Sequence, residues 1–260
     1  MTLICVASPK GGVGKTTLTA NLAYTLQRQG YNVTVIDLDS QDALKLHFGI
    51  AFSDPQGYVS EATSKFYWHE MVRTTSSGID VLAYGHTTRE ERQRFENFLA
   101  NDPKALYQAL RSFYGSSDDI LLADLPPGHS VALDALCKLK PLCVTALLSD
   151  SASLAVLPSI EEGDFYPEDV SRHLYYVVNQ LDLRSELSRD VYSLLKERLG
   201  ASLLGSVHRD PAVSEAHALQ ISVLQHAYTS AVVNDLEMIA HNLMRLMPDA
   251  VLVQIRQAGE

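Results

Sequence analysis

Residues 3–23 read LICVASPKGGVGKTTLTANLA, and their order decides the fold. A short apolar run at 3–7 leads into a glycine-rich turn. Behind the turn, Leu18, Leu22 and Leu26 recur every four residues, and Gly30 stops the pattern, so a helix is expected over 16–29. A phosphate-binding loop belongs in this setting, between a strand and a helix. Gly11, Gly12 and Gly14, with Val13 between them, let the backbone turn so that successive N–H groups face phosphate oxygens. The helix N-terminus adds a partial positive charge there. Lys15 is expected to reach the β- and γ-phosphates, Thr16 to ligate Mg²⁺, and Thr17 to help hold the α-phosphate. ATP and Mg²⁺ are the expected cofactors.

Working outward, apolar strand patterns at 32–39, 79–85, 118–128, 142–148, 173–180 and 202–207 alternate with helical ones. Helices are expected at 104–113, 187–199 and 231–246. Strands rich in Val, Ile and Leu that alternate with helices point to a mostly parallel sheet covered on both faces. The expected fold is α/β: a single P-loop NTPase domain with a mostly parallel twisted sheet. The domain is expected over residues 1–250, with a C-terminal tail at 251–260. The charged segment 85–103 reads as a solvated helix or loop, and FYWHEM at 66–71 as core rather than a partner patch.

Composition narrows the functional classes. The net charge is −10, from 21 Lys plus Arg against 31 Asp plus Glu, with no clustered basic window, which argues against direct DNA binding. No run reaches the roughly 18 apolar residues of a spanning helix. The start lacks the charged region of a signal peptide. Cys5, Cys137 and Cys143 have no metal-ligand spacing, so a reduced cytoplasmic protein is expected.

Ligands of such sheets bind outside the carboxyl ends of the strands. Asp37 and Asp39 sit at one such end, in VIDLDSQ, and Asp124 at another, in LLADLPPG. A carboxylate closing an apolar run is costly unless it serves a cation or a helix end. Beside a phosphate loop, Asp124 is the expected acid of the Mg²⁺ shell.

The loop departs from the general pattern. Pro9 stands where G-x-x-x-x-G-K-[ST] has its first glycine, and a second lysine, Lys10, follows it. The form KGGVGKTT at 10–17 resembles the deviant Walker A loop of the MinD/ParA ATPase family. The resemblance implies that Lys10 reaches across a homodimer, formed in the ATP state, to the partner's nucleotide. It implies slow, dimer-dependent hydrolysis of ATP. Asp37 and Asp39 would belong to the first switch, with Asp37 facing the metal's water shell and Asp39 orienting the attacking water. PPGHS at 126–130 would be the second switch, with the Gly128 N–H approaching the γ-phosphate. Asn179 and either Arg209 or Asp210 would meet adenine. The alternatives are a turn role for Asn179 and a helix cap for Asp210.

Within that family, residues 42–57, 179–182 and 207–216 resemble the MinD-like ATPases of bacterial cellulose synthesis. This implies a cytoplasmic ATPase that assembles, localises or regulates an inner-membrane cellulose synthase complex with small companion subunits. Recruitment to the membrane would come through those partners. Pro248 and only two arginines, Arg245 and Arg256, argue against an autonomous membrane anchor in the tail. Two other readings stay open: a partition ATPase that moves DNA, and a P-loop metabolic ligase.

Overall fold

A computed structural model describes residues 2–60, 68–113, 115–116, 118–167, 170 and 173–246. The expected tail at 251–260 lies outside them. The strands are β1 (Thr2–Ala7), β2 (Asn32–Asp37), β3 (Arg73–Thr74), β4 (Asp80–Leu82), β5 (Asp119–Asp124), β6 (Leu142–Leu148), β7 (Leu174–Leu181) and β8 (Leu203–His208). They form one sheet in the order β3-β4-β2-β5-β1-β6-β7-β8. Every pairing is parallel except that of β3 with β4.

The helices are α1 (Lys15–Arg28), α2 (Arg89–Asn101), α3 (Pro103–Arg111), α4 (Val131–Cys137), α5 (Ser151–Glu161), α6 (Glu186–Leu199), α7 (Pro211–Ala218), α8 (Val223–His226) and α9 (Ala231–Met244). The period-two geometry of a strand sends alternate side chains of β1 to opposite faces. Leu3, Cys5 and Ala7 join the core under α2–α6, and Ile4 and Val6 join the core under α1 and α7–α9. Leu22 and Leu26 of α1 are wholly buried in the second core. Truncating either to alanine should cost about 2–5 kcal/mol.

The strand expected over 118–128 ends at Asp124, before Pro126 and Pro127, which have no N–H for a sheet ladder. The charged segment 85–103 contains α2, which begins with a capping box between Thr88 and Glu91 and buries Phe95 and Leu99. The rings of Phe95 and Phe98 pack on Trp68, which is fully buried as expected of core; residues 66–67 fall outside the described residues. Helices α4, α5, α7 and α8 were not marked by periodicity. They are short, or, like α5, apolar with an internal proline.

The segment after β2 is pinned by charge. Buried Lys45 pairs with Asp42, and its Nζ donates to the Asp54 carbonyl at 2.6 Å. Arg73 of β3 holds the Asp54 carboxylate with two N–H groups. Cys5 is remote in sequence from Cys137 and Cys143, yet the three meet in one core. Cys5 and Cys143 are register partners, and a Cys137 hydrogen bond and burial push the Cys143 thiol up. Among the described residues no helix is long and apolar enough to cross a membrane.

Candidate functional site

The site forms where β1, β5 and β2 end side by side and β1 turns into α1. Helices α2–α9 each begin with a side chain that accepts from a first-turn N–H. The α1 helix begins at Gly14, with no side-chain cap and no acidic residue in its first turn. Its first backbone bond is Leu18 N–H to the Gly14 carbonyl, at 2.9 Å. Among the described residues the amides from Gly11 to Thr17 have no partner and are open to an external acceptor. Gly14 has φ +82°, and a Cβ there would lie 2.6 Å from Asn179 Nδ2, so a side chain fails on both counts.

The two loop lysines differ. Lys15 is buried, yet its Nζ has no hydrogen-bond or ion-pair partner among the described residues. Burial lowers its pKa, against the pull of Asp124 and Asp39. An ammonium without a protein partner, at the end of a largely buried side chain, calls for an anion. Lys10 is already satisfied: its Nζ donates to both oxygens of Asp150 at 2.8 Å. Asp150 also caps α5 through the Ser153 N–H, at 2.8 Å.

The acidic residues lie opposite the lysines. Asp37 and Asp124 are register partners of β2 and β5, and both are buried. Thr16 Oγ1 donates to Asp124 Oδ2 at 2.7 Å, and Thr19 Oγ1 lies 3.2 Å from Oδ1. Asp37 accepts from the N–H groups of Asp39 and Leu44 at 2.9 and 3.1 Å. Burial raises the pKa of both carboxyls, and the Asp124 charge raises that of Asp37 further. Adjacent buried carboxylates with a threonine hydroxyl are oxygen donors suited to a hard cation. The described residues hold no group of three His, Cys, Asp or Glu side chains placed for a metal. Mg²⁺ fits this set, because it is usually held by one or two carboxylates with waters and substrate phosphates. Asp39 stands at the edge of this group and accepts from Gln41 N–H at 3.0 Å.

An open cavity of ≈ 680 Å³ runs from Gly14 and Thr17 to the end of β8. Asn179, Arg209 and Asp210 all line it. Asn179 Nδ2 donates to the Val13 carbonyl at 2.8 Å, which ties β7 to the loop. The Asp210 carboxylate is committed within the fold, accepting from Ser230 Oγ at 2.7 Å and Ala212 N–H at 2.9 Å. It is a helix cap on the cavity wall. Gly128 has positive φ, and its N–H donates to the Ser8 carbonyl at 2.9 Å rather than pointing free.

Two contacts of the site join residues that no sequence motif links. Asp150 meets Lys10 only because β6 lies next to β1, and its one local sign is an acidic residue opening a helix. His208 lines the cavity with its Nδ1 held by Asp235 of α9, which is 27 residues away in sequence.

A family model described as cellulose biosynthesis protein BcsQ matches residues 1–244. The cellulose biosynthesis protein BcsQ of Salmonella typhimurium is 28% identical over 221 residues, 84% of this chain and 84% of its own length. The chromosome-partitioning ATPase Soj of Thermus thermophilus is 28% identical over 260 residues, 95% of this chain and 97% of its own. The septum site-determining protein MinD of Pyrococcus horikoshii, solved with Mg-ADP, matches with a TM-score of 0.72 at 20% identity, over 96% and 98% of the two chains. At that identity the structural likeness speaks for the fold alone.

Proposed function

Because the chain belongs to the cellulose biosynthesis protein BcsQ family, we propose that it is a dimeric ATP switch that assembles, localises or regulates a bacterial cellulose synthase complex. The observation that carries the ATP reading is the uncapped end of α1 beside a buried, unpaired Lys15. Open amides and an unpartnered ammonium are what a polyphosphate completes.

In this reading the amides of residues 11–17 cradle the phosphates, and Lys15 holds the β- and γ-phosphates. Thr16, Asp37 and Asp124 would hold Mg²⁺, which would supply positive charge to offset the charge that develops on the phosphates. Asp39, at the rim with one carboxylate oxygen uncommitted to Gln41, orients the attacking water. Lys10 exchanges Asp150 for the nucleotide of a second copy and stabilises the transferring phosphoryl group in trans. Hydrolysis is slow until that exchange occurs. The domain comprises residues 1–250, the protein works in the cytoplasm, and small companion subunits recruit it to the inner membrane.

Mg-ATP, and not Mg-ADP, should double the mass in sedimentation equilibrium. The deciding experiment replaces the chromosomal copy with Lys10→Ala and scores secreted cellulose and DNA segregation in the same cells. Lost cellulose with normal segregation is the expected result. Normal cellulose with missegregated DNA would move the protein to partition, the role named for its Soj relative. The absence of both defects would overturn the cellulose assignment.

A further inference from the structure

His208 ends β8 and forms part of the cavity wall, with its side chain 35% exposed. Its ring is held from one side only. Nδ1 lies 2.7 Å from Asp235 Oδ2, and the same oxygen accepts the His208 backbone N–H at 2.9 Å. Asp235 sits on α9, packed under β8, so backbone and ring are both fixed to that helix. Nε2 has no hydrogen-bond partner among the described residues.

A carboxylate only accepts, so the shared hydrogen resides on Nδ1. A neutral imidazole protonated at Nδ1 presents a lone pair at Nε2. The free edge of His208 is thus an oriented acceptor beside a cavity that begins at the phosphate loop. The nearby aspartate is unavailable, since both oxygens of Asp210 are bonded within the fold.

We infer that His208, positioned by Asp235, is a specificity residue for the base, accepting a hydrogen bond from the exocyclic 6-amino group of a purine. Adenine has a donor at that position. Guanine has an oxygen there, which would face the Nε2 lone pair and leave both acceptors unpaired. This rests on the nucleotide reading of the cavity. It adds a discriminating side chain that the loop at the other end of the cavity lacks, since phosphate contacts are the same for every base.

The test titrates fluorescent ATP and GTP analogues, labelled on the ribose, into full-length wild type and His208→Phe. Phenylalanine keeps a flat ring and removes the acceptor. The wild type should prefer ATP. In the variant, ATP affinity should fall by about tenfold, the size of one net hydrogen bond, while GTP affinity does not fall. An ATP-to-GTP ratio equal to that of the wild type would overturn the inference. If the wild type binds neither nucleotide, the nucleotide reading itself fails, which is a separate result. Should His208→Phe not fold, the wild type still decides through ¹⁵N NMR of the imidazole. Nε2 should give the shift of an unprotonated nitrogen and move when ATP, but not GTP, is added. A resonance indifferent to ATP would overturn the inference.

Discussion

Two helix ends on neighbouring strands have opposite chemistry. The β1 strand leads into α1, and β6, its neighbour in the sheet, leads into α5. Both helices start at the carboxyl edge of the sheet with their positive ends facing the same region. The α5 end is closed: Asp150 accepts from Ser153 N–H and binds Lys10 as well. The α1 end is open, with Gly14 in place of a capping side chain and with Lys15 buried beside it. A parallel sheet supplies positive helix ends at this edge as a matter of geometry. The side chain at the cap decides whether such an end is used internally or left for a ligand.

The contrast can be broken from either side. The largest effect is expected at the open end. Lys15→Ala should lower ATP affinity by about 100-fold, the scale of a charge-assisted contact, in a direct binding titration. Unchanged affinity would mean that the buried lysine is not a phosphate ligand, and the two ends would then be alike.

A smaller effect is expected at the closed end. Asp150→Ala removes a cap and an ion pair together and should destabilise the fold by about 1 kcal/mol in urea unfolding. Asp150→Asn keeps the cap and loses only the partly exposed ion pair, which is worth little. Equal stabilities for wild type and Asp150→Ala would show that α5 needs no cap, removing half of the contrast.

The smallest effect is in pH. Burial opposes ionisation of Asp150, but the bonds from Lys10 and Ser153 outweigh it and hold its pKa below the ordinary carboxylate value. A depressed carboxylate stabilises the fold fully above its unfolded value, near 3.9, and loses that contribution as pH falls through the folded value. The difference in Tm between wild type and Asp150→Asn should be flat above about pH 5 and shrink below about pH 4. A difference that grows on acidification would reverse the assigned sign.

Much of this is legible in the chain itself, and the limits have physical causes. The loop, Thr16 and Asp124 are short-range features: a strand, a turn and a helix start within one segment, and an acid closes an apolar run. Their meeting, with Thr16 Oγ1 at 2.7 Å from Asp124, follows once β1 and β5 pair. The charged segment 85–103 carries a weaker signal. Its polar face dominates the composition, while Phe95 and Leu99 are buried and Phe98 packs against the same core. The cysteines lack any ligand spacing, and only the pairing of β1 with β6 brings Cys5 to Cys143.

By itself, then, the sequence determined an α/β sheet with a phosphate loop at its centre, because periodicity and loop chemistry are local. It also determined which of two lysines follows the last loop glycine. Only the tertiary structure decided what each lysine meets, that Ser230 takes the second oxygen of Asp210, and that His208 is oriented by Asp235. Those facts depend on which strands become neighbours and on which helix packs beneath them. They are contacts between residues far apart in the chain, and no spacing along the sequence encodes them.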